Sequence, residues 1–273
     1  VKYDAFSVAD TVSAKDGGGF GGNVSVTGNL TFTGDLIATT AGTSNFTAGV
    51  NAGNSIVSGG QYNVLVGDEA GTALTTGDRN IAIGFEALTT EDANGRNVAI
   101  GYRALKTLNA GADSYNMGIG HTAGTGLTVG IQNTLVGGLC GVSLTDADYN
   151  VAVGVGALAS DTLGNASTAI GTNALTTQNF TSDTTSYNTA VGYLAGTSVS
   201  TGIQNTMIGS LAGDAFTDAD FNTAVGMLAL STDSQGSRST AVGFSALSSQ
   251  NFTSATNTGN TAVGYKAGSS IST

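Results

Sequence analysis

The chain has 273 residues, a formal net charge of −11 at pH 7 and only eight Lys and Arg residues. Nucleic acids and anionic membranes are bound through clustered basic side chains, so this charge balance argues against both as partners. Cys140 is the only cysteine, which argues against a disulfide framework. The 42 glycines and the absence of proline suit short strands joined by turns. No apolar run is long enough to span a bilayer, so we expect no membrane insertion.

The first 44 residues differ from the rest of the chain. A glycine cluster at residues 17–22 resembles a flexible joint. It is followed by a segment in which apolar residues share one period-2 phase, namely Val24, Val26, Leu30, Phe32 and Leu36. Strands this short do not build a core from one chain. We therefore predict that residues 1–44 form an N-terminal intertwined β shaft in which several chains share one core.

Residues 45–273 are organised by a nine-residue repeat, Asn-x-Ala-Val/Ile-Gly-x-x-Ala-Leu/Gly, which occurs twelve times and mostly every 17 residues. The repeats begin at Asn63, Asn80, Asn97, Asn116, Asn133, Asn150, Ser167, Asn188, Asn205, Asn222, Ser239 and Asn260. A degenerate copy begins near Asn45, which brings the total to about 13 coils. A fixed period of this size predicts an all-β, parallel β-solenoid, or β-roll. Stacked at about 4.8 Å per coil, the coils would form a rod of roughly 60 Å.

Each position in the repeat carries its own prediction. The first position predicts an asparagine ladder along the stack, and the invariant glycine at the fifth predicts a positive φ or a close neighbour. The fourth position is always Val or Ile, which is typical of a strand residue that faces a packed interior. The third position is small and apolar, and it lies on the opposite face of the strand. We expect that face to be buried by another copy of the chain, which predicts a homo-oligomer; the alternative is a small apolar face left in water.

The ninth position adds a longer period. Leu and Gly alternate there in a pattern that recurs every four coils, and residues 116–187 align without gaps on residues 188–259. The array is thus built of four-coil blocks of about 72 residues. Residues 266–273 match residues 194–201, early in a further block. We therefore expect the natural polypeptide to continue beyond Thr273.

The sequence offers little for catalysis. His121 is the only histidine, so neither a histidine-based triad nor a multi-histidine metal site forms within one chain. We therefore predict no catalytic residues, no cofactor and no enzymatic activity; a polysaccharide hydrolase would need a carboxylate cluster that the sequence does not place. The pairs Asp146/Asp148 and Asp218/Asp220 are weak Ca²⁺ candidates, with solvated surface turns as the alternative.

Two features are candidates for contact with a partner. The sixth repeat position carries Phe85, Tyr102, Tyr193, Phe244 and Tyr265, whose rings could stack on the apolar faces of sugars. The longer connections at residues 106–115, 176–187 and 248–259 would protrude from one side of the solenoid, which is often the binding side. The alternative for both is a solvated surface. An ice-binding array is disfavoured because Thr dominates the second position only in later coils.

The repeats, such as residues 188–196, resemble those of phage tail-fibre proteins, and residues 23–36 resemble tail-fibre shaft segments. The repeats are also similar to the left-handed β-roll heads of trimeric autotransporter adhesins, although their coil is shorter than 17 residues. The resemblance implies a homotrimeric structural fibre in a virion tail, bound to other tail proteins and to a host cell-surface glycan or protein. The alternative that it implies is an adhesin on the bacterial cell surface. A chaperone segment beyond Thr273 would favour the fibre, and a coiled coil with a membrane anchor would favour the adhesin.

Overall fold

The structure is a computed structural model that describes residues 42–273. The described part is all-β and contains no helix. Its strands are β1 Phe46–Ala48, β2 Val64–Val66, β3 Ile81–Ile83, β4 Val98–Ile100, β5 Met117–Ile119, β6 Thr134–Val136, β7 Val151–Val153, β8 Gly164–Asn165, β9 Thr168–Ile170, β10 Thr184–Thr185, β11 Thr189–Val191, β12 Thr206–Ile208, β13 Thr223–Val225, β14 Gly236–Ser237, β15 Thr240–Val242, β16 Thr256–Asn257 and β17 Thr261–Val263. The shaft predicted for residues 1–44 lies almost wholly outside the described residues.

Thirteen of the strands form one parallel sheet, in the order β1-β2-β3-β4-β5-β6-β7-β9-β11-β12-β13-β15-β17. Each of these strands holds the second to fourth positions of one repeat and pairs in register with the strand of the next coil, as Val151 does with Thr168. The predicted parallel β-solenoid of about 13 coils is therefore confirmed. The degenerate first coil supplies β1, which pairs with β2. Two small sheets, β8 with β10 and β14 with β16, attach the two longest connections to the preceding coils.

The first repeat position forms the predicted asparagine ladder. The Oδ1 of Asn63 accepts the backbone N–H of Asn80 at 2.8 Å, while its side-chain amide donates to the carbonyl of Gly77 at 2.9 Å. The same bonds recur from coil to coil, as in the 3.0 Å bond from the Asn97 N–H to Asn80. Each buried amide is thereby satisfied by backbone groups of the stack, which explains why this corner tolerates little besides asparagine.

The fifth-position glycines are required for both predicted reasons. All twelve have a φ between 124° and 143°. At Gly154, a Cβ would lie only 2.5 Å from the backbone oxygen of Gly171 in the next coil. Glycine is the residue that combines this backbone conformation with such a close approach of two main chains.

The strand faces are the reverse of the sequence-based prediction. The third position is fully buried inside the coil from β2 onward, as in Leu65, Ala82 and Ala152, apart from a slight exposure of the last, Ala262. The second and fourth positions point outward and are at most partly buried, as the strand Val151–Val153 illustrates. The expectation that the fourth position faces the coil interior was therefore wrong. The third-position side chains share the coil interior with the eighth-position alanines, such as Ala157, and with the larger side chains of the ninth and twelfth positions. Because these side chains fill the interior, it has no room for the fourth position as well.

The ninth and twelfth positions share one space in the core, and this sharing produces the Gly/Leu alternation. In coils with Gly at the ninth position, a large apolar side chain occupies the twelfth: a Cβ on Gly71 would lie 2.8 Å from Leu74. In coils with a buried Leu at the ninth position, such as Leu158, the twelfth is mostly polar. Those coils carry Glu91, Leu108, Asp161, Gln178, Asp233 and Gln250 there.

Glu91 is the exception among the buried polar groups at the twelfth position. It is fully buried, and its Oε2 has no hydrogen-bond partner. Asn94 donates to its other oxygen at 3.2 Å. Burial raises the pKa of this carboxyl, against the smaller opposing effect of the bonds from Asn94 and nearby backbone groups. The folded state therefore favours protonated Glu91, and this buried carboxyl destabilises the folded state increasingly as the pH rises.

We expect Glu91→Gln to stabilise the protein at neutral pH and to have little effect in acid. Below the pKa of the unfolded chain, about 4.3, both states are protonated and burial costs little. As the pH rises through that value, the unfolded state loses its proton first, so stability falls until the raised folded pKa is passed. Thermal unfolding of both proteins at about pH 4 and about pH 7 tests this. A melting-temperature difference that does not grow with pH would contradict it.

Candidate functional site

The outward face of the thirteen-stranded sheet presents one strand from each of the thirteen coils. Its fourth-position row consists of Val66, Ile83, Ile100, Ile119, Val136, Val153, Ile170, Val191, Ile208, Val225, Val242 and Val263. We call this surface, with the neighbouring second-position row, the sheet face. Ile170 and Ile208 are 38% and 39% exposed. A continuous row of β-branched side chains on an exposed surface is typical of an interaction site.

The aromatic residues of the sixth position fall into separate groups. Phe85 and Tyr102 stack with ring centroids 5.6 Å apart, and His121 continues the stack at 5.0 Å from Tyr102. Phe244 and Tyr265 stack at 5.5 Å near the other end of the array. Tyr193 lies between Thr172 and Ser210 in the sixth-position row, and it is 56% exposed. The candidate receptor residues thus form two short ladders and one isolated ring, and His121 behaves as one more exposed ring.

A second row with many aromatic residues lies at the corner that precedes each strand, and the sequence reasoning missed it. We call it the corner column: the residue directly before each repeat, namely Tyr62, Arg79, Arg96, Tyr115, Gln132, Tyr149, Ala166, Tyr187, Gln204, Phe221, Arg238 and Gly259. All have a φ between 51° and 67°. The rings of Tyr115, Tyr149 and Tyr187 are more than half exposed. Reading the repeat one residue further back would have revealed this row.

Arginine side chains pack onto rings of the corner column. Arg79 lies over Tyr62 at 5.5 Å, and Arg238 lies over Phe221 at 4.7 Å. Arg96 lies over Tyr115, donates to its hydroxyl at 2.9 Å and pairs with Asp113. Each of these arginines is held against the column by a cation–π contact.

The aspartate pairs do not converge on a metal site in this structure. The exposed Asp146 is followed by Asp148, whose carboxylate accepts the backbone N–H of Ile131 at 2.7 Å. In the equivalent coil, Asp218 accepts the Thr201 hydroxyl and Asp220 accepts the Ile203 N–H, both at 2.8 Å. Within residues 42–273, no three His, Cys, Asp or Glu side chains are grouped in a way that could hold a metal ion. The hydrogen bonds that Asp148, Asp218 and Asp220 accept therefore connect successive coils.

Cys140 occupies the eighth-position alanine site as a buried small side chain. Its Sγ lies 3.0 Å from the carbonyl of Ala152, and burial raises the pKa of the thiol to about 12. A thiol this difficult to ionise is a poor nucleophile.

The longer connections end in exposed tips, such as residues 181–183. The absence of enzymatic activity remains a prediction.

Residues 42–273 contain no helix, and hence none that could cross a membrane. Comparisons with protein-family models, with curated proteins and with solved structures found no match to this chain. The sheet face and the corner column are the two candidate interaction surfaces of the solenoid.

Proposed function

We propose that the chain is a structural protein of a phage tail fibre, in which three copies form a rigid rod for attachment to a host cell. The observation that carries the proposal is the sheet face, where every coil from β2 to β17 presents Val or Ile outward. Burial of apolar surface drives association, and such a row extends along the length of the solenoid. A rod that associates along its length has the architecture that a fibre needs.

The partner of the sheet face is best supplied by the chain itself. All copies carry the same row at the same coil spacing, so identical faces can pack together in register around a common axis. The net charge of −11 does not prevent this contact, because the second and fourth positions of the sheet carry no charged residue. The number of three copies comes from the resemblance to tail fibres and adhesin heads. The oligomer contact that we propose thus lies on the opposite face of the strand from the third-position face predicted from the sequence.

The oligomer is tested by light scattering on the purified chain and on Ile208→Asp. We expect the parent protein to have the mass of three chains. A carboxylate at the centre of an apolar contact has a high desolvation cost, so Ile208→Asp should reduce the mass to that of one chain. Met227→Asp is the matched control, since Met227 is also apolar and is 47% exposed but lies at the sixth position. A monomeric parent protein would overturn the proposed assembly.

The location is tested separately, because an adhesin on a bacterial surface would use the same rod. Gold-labelled antibodies raised against residues 42–273 should label the tails of phage particles. Labelling of the bacterial surface in cells that carry no phage would support the adhesin instead. The host partner that we expect at the rod is a cell-surface glycan or protein.

A further inference from the structure

The aromatic residues of the corner column follow a regular spacing that the fold does not require. Between Tyr115 and Phe221, aromatic residues occupy every second coil, at Tyr115, Tyr149, Tyr187 and Phe221, and Gly259 ends the series. The intervening coils carry Gln132, Ala166 and Gln204. Adjacent parallel strands lie about 4.8 Å apart, so the aromatic residues recur roughly every 9.6 Å along the solenoid.

The backbone at this corner does not explain the choice of residues. A second corner, at the seventh repeat position, has equally positive φ values and carries residues as different as Glu86, Thr122 and Leu194. The left-handed conformation is therefore a requirement of the coil, whereas the aromatic side chains are not. Tyr149 and Tyr187 are 52% and 61% exposed, so core packing does not explain them either.

The chemistry between the rings is that of a neutral, hydroxyl-rich ligand. Gln132 and Gln204 place amides, which both donate and accept hydrogen bonds, between successive rings. Three aspartates directly precede column residues, at Asp78, Asp148 and Asp220, in a chain of net charge −11. A polyanion would be repelled by these carboxylates, although arginines lie toward both ends of the column.

We propose that the corner column binds a linear, neutral polysaccharide that lies along the solenoid axis. In an extended glycan with a two-fold repeat, alternate sugar rings present the same face. Those faces would stack on Tyr149 and Tyr187, while Gln132 and Gln204 bond the hydroxyls of neighbouring sugars. The rings of Tyr115 and Phe221, at the ends of this series, already contact Arg96 and Arg238. This inference rests on the proposed attachment function and names the ligand class. It places the contact on the corner column instead of the sixth-position residues.

The test is calorimetric titration of the assembled protein with three linear hexasaccharides, the β-1,4-linked oligomers of glucose, N-acetylglucosamine and mannose. We expect at least one of them to bind with a dissociation constant in the micromolar to millimolar range. Loss of two stacking platforms, at about 1–3 kcal/mol each for aromatic stacking, should weaken binding by the double variant Tyr149→Ala/Tyr187→Ala at least tenfold.

Two controls separate stacking from general damage. Tyr149→Phe/Tyr187→Phe keeps both rings and should retain binding within a few-fold. Val155→Ala removes an exposed apolar group beyond the other end of strand β7 from Tyr149 and should change nothing. The oligomeric mass is measured for every variant, so loss of assembly is not mistaken for loss of a contact.

The inference is overturned if none of the three hexasaccharides binds, or if the alanine double variant binds as well as the parent protein. Binding of hexagalacturonate alone would also overturn it, because that ligand is a polyanion. None of these results changes the mass of the oligomer or its labelling on phage tails. The proposed fibre function therefore stands or fails by its own tests.

Discussion

Replacing Gly154 with alanine is expected to lower the free energy of unfolding by about 3 kcal/mol or more, because two penalties act together. The backbone at Gly154 has a φ of 135°, which a residue with a Cβ rarely adopts. The added Cβ would also lie 2.5 Å from the backbone oxygen of Gly171. That oxygen cannot shift to relieve the clash, because the coils on both sides hold the main chain in place. Urea unfolding followed by circular dichroism measures the loss.

Two other glycines separate these penalties. Gly264 has a similar φ of 128°, but a Cβ there would meet only Ala267, at 3.9 Å. Gly264→Ala should therefore show the backbone strain alone, about 1–2 kcal/mol. At Gly138 a Cβ would meet nothing within 4 Å, so Gly138→Ala should be neutral within about 0.5 kcal/mol. Equal losses at all three positions would contradict the role assigned to the stacked glycines.

The sequence predicts those parts of the fold in which the backbone dictates the residue. The asparagine at Asn63 and the glycine at Gly154 recur because each satisfies a main-chain requirement that is the same in every coil. Such requirements leave a fixed residue at a fixed spacing, which is visible without a structure. The number of coils and the parallel sheet followed from that spacing.

The direction of the strand faces was not predictable from alternation alone, because both faces are apolar. What decides it is the volume of the coil interior. Where the third position is large, as in Leu65, Leu135 and Met207, the ninth is always glycine. A Cβ on Gly141 would lie 2.9 Å from Leu135, so the two positions compete for one space. This covariation is present in the sequence and would have placed the third position in the core.

The corner column was missed for a different reason. Its residues vary from Tyr115 to Gln132 to Arg238, so no repeat motif includes them. Main-chain requirements constrain the conformation of this corner but leave its side chain free. A surface whose side chains are not fixed by the fold is where a binding site would be expected to vary. Its two-coil spacing becomes evident when the residue before each repeat is compared from coil to coil.

The second large effect is expected from Gln178→Leu, which should cost about 3 kcal/mol because it leaves the Oδ2 of the buried Asp161 carboxylate without a donor. The Oδ1 keeps the backbone N–H groups of Gly164 and Phe180. Gln178 donates to the Oδ2 of the fully buried Asp161 at 2.6 Å. It also donates to Ser167 and accepts the amide of Asn188 at 2.9 Å. It thereby connects the asparagine ladder across the coil where serine interrupts it. Denaturant unfolding should show the loss, and the same change at Gln250 should reproduce it.

The first block of the array has a buried carboxylate at the twelfth position but lacks the glutamine that donates to it in the later blocks. Glu91 lies where the later blocks have Asp161, and the next coil carries Leu108 in place of Gln178. This replacement is the physical reason that the Glu91 Oε2 has no partner. Leu108→Gln should therefore stabilise the chain at neutral pH, by about 1 kcal/mol, through a new hydrogen bond to that oxygen. If Leu108→Gln and Gln178→Leu instead shifted stability in the same direction, the side chains at the twelfth position would not act as donor and acceptor pairs.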